Sequence, residues 1–312
     1  MAILSIILGF FLLIKGGDWL MKSSVALSLK LALSRMVIGM TVVSFATSAP
    51  ELIVSIQAAL TGHSDISLGN VIGSNIANLG FVLSIVVLIT TININKTFYT
   101  TDWPMMIFSS IIFSIMIYYD SKISSFEGLI LFIFLIVFIV YLINRKNSID
   151  FVEDSSDEFQ ELSNIKIIFF LLIGGFSLWL GSDLLVKGSV NLAERIGISD
   201  RVIAITIVSI GTSIPELSAS LVAIYKNEKA ISLGNLIGSN IFNIMAVMGI
   251  TAMIKPIKVI ENGIITNDLI WMLIISFIIL PLVFIKPKMK LGKLSGVILI
   301  SIYLAFIYKV IV

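Results

Sequence analysis

The chain is one unit written twice. Displacing the sequence by 165 residues brings Glu51 onto Glu216 without a gap, and residues 16–80 then match 181–245 at 31 of 65 positions. ISLGNVIGSNI (66–76) faces ISLGNLIGSNI (231–241), and TSAPEL (47–52) faces TSIPEL (212–217). Even GGDWLMKSSV (16–25) is echoed by GSDLLVKGSV (181–190). A chain of this kind folds as two copies of one supersecondary unit, so chemistry placed in one copy has a counterpart in the other.

Each unit is built from membrane-length segments. Of 312 residues, 58% are hydrophobic and 13% charged, where soluble domains run near 25% charged. A hydrocarbon core of about 30 Å takes roughly 20 apolar residues per helix. On that ruler the first copy predicts spans near 2–21, 36–60, 68–90, 104–119 and 126–143. The second predicts them near 165–186, 201–225, 232–254, 268–286 and 294–311. The expectation is an all-α polytopic membrane protein, ten transmembrane helices in two five-helix repeats, 1–143 and 165–312. Residues 144–164 form an acidic linker, with six acids among 150–161. The first span has neither the basic start nor the cleavage site of a signal peptide, so it reads as a retained helix.

Five is odd, so equivalent helices of the two copies cross in opposite directions. That is the inverted repeat of secondary transporters, whose sites lie near the midplane. Inner loops carry 13 Lys and Arg against seven outside when the N-terminus is placed outside. The positive-inside rule then puts the linker in the cytoplasm.

Several function classes fall away. Without cysteine there are no disulfides, thiolate metal sites or thiol catalysis. A net charge of +2 with no basic tract offers nothing to nucleic acid. No nucleophile–base pair, phosphate loop or metal-hydrolase spacing is present, so the chain reads as no enzyme and holds no cofactor. The lipid bilayer is its partner, and no obligatory protein partner is evident. His63, the only histidine, reads as a solvated turn residue.

What remains is a polar face inside apolar helices. Ser44, Thr47, Ser48 and Glu51 share one helical face, and Ser209, Thr212, Ser213 and Glu216 repeat it. Pro50 and Pro215 leave carbonyls near Ala46 and Gly211 without their helical partners, and such carbonyls at membrane depth must line a cavity or meet a ligand. A carboxylate at that depth costs roughly 2.5–3.5 kcal/mol. Hydroxyls, carbonyls and a carboxylate make an all-oxygen shell that suits Na⁺ and Ca²⁺, so a bound cation is the expected compensation. The next span adds Asn70, Ser74 and Asn78 in the first copy and Asn235, Ser239 and Asn243 in the second. Gly69 with Gly73, and Gly234 with Gly238, form G-x-x-x-G patterns that admit a close backbone. Asp18 and Asp183 sit in G-x-D contexts near expected helix ends and read as caps or loop anchors.

At these residues the sequence resembles the cation/calcium exchanger superfamily, specifically the prokaryotic sodium/calcium exchangers. The resemblance is carried by SFATSAPE (44–51) with GNVIGSNIAN (69–78), and by SIGTSIPE (209–216) with GNLIGSNIFN (234–243). It implies Na⁺ inflow driving Ca²⁺ out of a prokaryotic cell across its inner membrane, by alternating access and with net charge movement. The implied cation ligands are Ser44, Thr47, Ser48, Glu51, Ser74 and Asn78 with Ser209, Thr212, Ser213, Glu216, Ser239 and Asn243. Ser44 and Ser209 would serve through their backbone carbonyls. Ala46 departs from the family's glycine, and Asn243 stands where several relatives, the potassium-coupled branch among them, carry aspartate. The alternative is a proton-coupled cation antiporter of the same superfamily. That branch places a glutamate soon after each G-N pair, whereas this chain has GNVIGSN and GNLIGSN.

Overall fold

A computed structural model describes residues 2–144, 162–195, 211–285 and 288–311. Residues 145–161, the body of the expected linker, and Ser209 lie outside them. Among the described residues, eight helices are long and apolar enough to cross a membrane. They are α1 (Ala2–Leu31), α4 (Ser64–Ile89), α5 (Phe98–Asp120), α6 (Ser125–Asn144), α7 (Asn164–Arg195), α9 (Lys229–Ile254), α10 (Ile264–Phe284) and α11 (Lys293–Ile311). A ninth is the broken pair α2 (Arg35–Thr47) and α3 (Ala49–Leu60), bent by 45°. The shorter helix α8 (Ile214–Tyr225) is the repeat mate of α3, and most of the segment expected ahead of it lies outside the described residues. Ile3, Leu4, Ile7, Phe10, Phe11 and Ile14 of α1 are each more than half exposed, as side chains facing lipid are. This is a multi-pass membrane protein.

One expectation changes. Spans 2–21 and 165–186 continue to Leu31 and Arg195, so Asp18 and Asp183 are interior to long helices rather than near their ends. The apolar ruler stops early because Ser23, Ser24 and Ser28 interrupt the hydrophobic run, yet all three are buried. Asp18 still anchors. It bonds Lys226 at 2.6 Å and Lys22 at 3.4 Å, holding the residue that closes α8. Asp183 meets Lys187 one turn on, at 2.8 Å.

The chain forms two compact units, and each draws on both repeats. The first is Met1–Thr47 with Tyr141–Asn235, the second Ser48–Val140 with Leu236–Val312. In the first unit α1 and α7 cross on glycines. A Cβ on Gly9 would lie 2.8 Å from the Gly181 carbonyl, and one on Gly16 would lie 2.9 Å from that of Gly174. Gly9 is the repeat mate of Gly174 and Gly16 of Gly181. The partners therefore exchange, as contacts between two-fold-related copies do. The numbers climb along α1 as they fall along α7, so these equivalent helices run antiparallel. Leu20, Met21, Val25, Ile38, Val43, Leu178 and Ile231 fill the core beside them. The turn after α8 is fixed by a second ion pair, Arg35 Nε to Glu228 at 3.3 Å. Burial pushes the Glu228 carboxyl above its usual range, and the guanidinium pulls it partway back.

The second unit shows the same exchange. Ile92–Asn93 (β1) pairs with Lys290–Leu291 (β4), and Lys122–Ile123 (β2) pairs with Ile257–Lys258 (β3). β1 and β3 follow the third span of each copy, whereas β2 and β4 precede the last. A Cβ on Gly128 would sit 2.6 Å from the Gly249 carbonyl, and one on Gly296 2.9 Å from the carbonyl of Ser84, the mate of Gly249.

Candidate functional site

In the first unit, α2 does not run as a regular helix. Gly39–Val43 is a π turn, a one-residue insertion of the kind frequent at functional sites, and Ser44 follows it. The Ser44 hydroxyl bonds the carbonyls of Gly39 (2.8 Å) and Asn235 (2.9 Å). A hydroxyl has one proton, so this side chain is committed, and its own carbonyl, approached by Thr47 Oγ1 at 3.3 Å, is what Ser44 offers a ligand. Thr47 Oγ1 also donates to Asn235 Oδ1 at 3.1 Å, and Asn235 Nδ2 reaches Ser220 Oγ at 3.3 Å. The two backbones meet here without side chains between them. A Cβ on Gly39 would lie 2.5 Å from the Ile231 carbonyl, and one on Gly234 2.5 Å from that of Met36. The G-x-x-x-G expectation holds at Gly234. At Gly69 and Gly73 no described atom comes within 4 Å of an added Cβ; the repeat mate of Gly39 is residue 204, outside the described residues.

The helix breaks fall at equivalent residues. Ser48 has φ −88° and ψ 2°, and Ser213 has φ −90° and ψ 4°. Both sit in the sparsely populated bridge region. Each precedes a proline-led half-helix, where the missing N–H costs nothing. Glu51 and Glu216 then fall in the first turns of α3 and α8, and they are 1% and 0% exposed. A helix N-terminus favours an anion by about 0.3–1 kcal/mol. That is well short of the roughly 2.5–3.5 kcal/mol for a carboxylate at membrane depth. Ser213 Oγ is buried and has no hydrogen-bond partner among the described residues, while Thr212 is partly exposed.

In the second unit Asn70 Nδ2 bonds the Glu51 carbonyl (3.3 Å) and Ser55 Oγ (3.0 Å). Asn70 and Asn235 thus serve as clasps in both repeats, on the mates Ser55 and Ser220. Ser74 Oγ turns back to the Asn70 carbonyl, and Ser74 and Ser239 are buried. Asn78 and Asn243 each open a further π turn, Asn78–Val82 and Asn243–Met248. Their amide nitrogens are engaged, to Asn240 Oδ1 at 3.3 Å and Asn75 Oδ1 at 3.1 Å. Their amide oxygens are buried, with no hydrogen-bond partner among the described residues. Buried polar atoms of this kind are ordinarily paired, so these two carbonyl oxygens stand out as candidate ligand atoms. Among the described residues no group of three His, Cys, Asp or Glu side chains could hold a metal.

The family model of the sodium/calcium exchanger protein matches residues 1–144 and 166–312. The chain belongs to the sodium/calcium exchanger family. Among similar proteins, the putative antiporter CaxA of Alkalimonas amylolytica is 32% identical over 98% of both chains. The sodium/calcium exchanger MaX1 of Methanosarcina acetivorans is 30% identical over 97% of both. Of solved structures, the sodium-calcium exchanger NCX_Mj superposes with a TM-score of 0.82 at 28% identity, covering 99% of this chain and 98% of that one.

For this exchanger the first unit carries Ser44, Thr47, Thr212, Ser213 and Glu216 of the expected ligands. The second carries Ser48, Glu51, Ser74, Asn78, Ser239 and Asn243. Asn75 and Asn240, which hold the amides of Asn243 and Asn78, lie outside the expected ligands. The identity of GSN in both copies was the signal for them.

Proposed function

We propose that the protein exchanges Na⁺ moving inward for Ca²⁺ moving outward by alternating access, in a prokaryotic cell membrane with its N-terminus outside. The twelve residues from Ser44 to Asn243 named above ligate the ions, Ser209 among them. The carrying observation is the pair of buried, unpartnered amide oxygens of Asn78 and Asn243, in a chain that also buries Glu51 and Glu216. Two carboxylates balance one Ca²⁺. Exchange that returns more than two Na⁺ moves positive charge inward, and a potential of 100 mV assists that step by roughly 2.3 kcal/mol per charge. Asn243 is neutral where a potassium-coupled relative has an acid, so transport needs no K⁺. The test is ⁴⁵Ca²⁺ uptake into Na⁺-loaded proteoliposomes. Uptake is expected in K⁺-free medium and with no pH gradient; a stall without K⁺, or uptake driven by H⁺ alone, overturns the coupling.

Ten spans in inverted halves are the proposed topology. The strand pairs support it by parity: hydrogen-bonded residues lie at one membrane face, so an even number of spans must separate them. Between β2 and β3 stand α6, α7 and α9, which is odd unless the segment ending in α8 also crosses. The antiparallel contact of α1 with α7 agrees. The absence of cysteine makes a direct measurement simple. Cysteines at Tyr119 and Asn262, beside β2 and β3, are expected to react with an impermeant maleimide from outside only. Cysteines at Lys96 and Lys288, beside β1 and β4, should react from inside only. Tyr119 and Lys96 reacting from one face would break the scheme.

A further inference from the structure

Asn75 and Asn240 stand outside the proposed ligand set, yet each is only 1% exposed. Among the described residues their side-chain nitrogens face acceptors alone. Asn75 Nδ2 donates to the Asn240 carbonyl at 3.2 Å and lies 4.0 Å from the Met272 sulfur. Asn240 Nδ2 donates to the Asn75 carbonyl at 3.4 Å and lies 3.9 Å from the Met106 sulfur. A carbonyl oxygen and a thioether carry no proton, so turning either amide round would set acceptor against acceptor on two sides. That fixes which end of each amide is which, an assignment that geometry alone leaves open.

The polarity then propagates. Asn75 Oδ1 can only accept, so Asn243 must answer it with Nδ2, at 3.1 Å. Asn240 Oδ1 imposes the same on Asn78, at 3.3 Å. The oxygens left over are those of Asn243 and Asn78, the buried pair with no partner among the described residues. We infer that Asn75 and Asn240 are positioning residues, which transmit the polarity of two backbone carbonyls so that the amide oxygens of Asn243 and Asn78 face the transported cation. A reversed amide would aim a donor at a positive charge. The inference deepens the proposed exchanger reading and rests on it.

The test is a double-mutant cycle read as the Ca²⁺ dissociation constant, from equilibrium ⁴⁵Ca²⁺ binding to the purified full-length protein and from transport. Asn75→Leu removes both hydrogen bonds at similar volume. It is expected to weaken Ca²⁺ binding about tenfold, with KM rising in step and the rate at saturating Ca²⁺ held within about threefold. In an Asn243→Ala background the same change should cost less than about twofold, because the residue acts through Asn243; a purely structural role gives additive losses. Asn240→Leu with Asn78→Ala is the mirror cycle, and it decides the matter if Asn75→Leu does not fold. Additive cycles, or wild-type affinity in folded Asn75→Leu, overturn the orientation alone. Absence of Na⁺-competed Ca²⁺ binding by the wild-type protein overturns the exchanger reading and this one with it.

Discussion

Glu51→Gln and Glu216→Gln are each expected to reduce Na⁺-driven Ca²⁺ transport about tenfold or more while leaving the protein folded. Glutamine keeps the size and the oxygen but removes the full charge that, in the proposed site, faces a doubly charged ion. In a site that excludes water, that charge is screened far less than it would be at a surface. Folding should not suffer, because the variant is relieved of a carboxylate whose burial costs roughly 2.5–3.5 kcal/mol at membrane depth. The measurements are ⁴⁵Ca²⁺ uptake by Na⁺-loaded proteoliposomes and size-exclusion profiles of the same preparations. The two variants should behave alike, since Glu51 and Glu216 occupy the first turn of half-helices that open on equivalent serines. Near-normal uptake by both would remove the carboxylates from the site.

What the sequence made legible was what repeats and what is long. α4 and α9 follow the expected 68–90 and 232–254 to within about four residues, because an uninterrupted apolar run has one way to hide its backbone in lipid. The broken span was legible from proline. The extension of α1 to Leu31 was not, since buried serines that bond their own helix, as Ser23 does to the Trp19 carbonyl at 2.8 Å, read in sequence as a polar loop. The π turns at Gly39, Asn78 and Asn243 leave no compositional trace: one extra residue in a helix shifts the register without changing which residues are apolar. Asn75 and Asn240 lie in the regular helix ahead of the π turns and escaped for a simpler reason. A stripe at i, i+4 and i+8 collects Asn70, Ser74 and Asn78, and steps over the residue beside Ser74 that orients the far ligand.

The glycine contact between α2 and α9 joins these two levels, packing and chemistry, and sets the second large expected effect. Gly234→Ala places a methyl 2.5 Å from the Met36 carbonyl, and Gly39→Ala places one 2.5 Å from that of Ile231. Real Cβ atoms do not sit so close, and the obstacle is backbone, which cannot rotate away. The helices must separate, and overpacking of this kind costs about 1–3 kcal/mol or more. The adjacent residue is Asn235, whose carbonyl holds Ser44 Oγ at 2.9 Å and whose Oδ1 holds Thr47 Oγ1 at 3.1 Å. Hydrogen bonds at these lengths do not survive a shift of about an ångström. Transport should therefore fall further than the yield of folded protein, because the Ser44 carbonyl, a proposed ion ligand, loses its fixed position before the unit unfolds. Gly263→Ala is the control, with its nearest neighbour 3.6 Å away in the flexible Glu261 side chain, and both readouts should stay near wild type. The apparent melting temperature by fluorescence-detected size exclusion, set beside ⁴⁵Ca²⁺ uptake per folded molecule, separates the outcomes. A Gly234→Ala protein with wild-type melting and wild-type uptake would mean that this close approach does not hold the site.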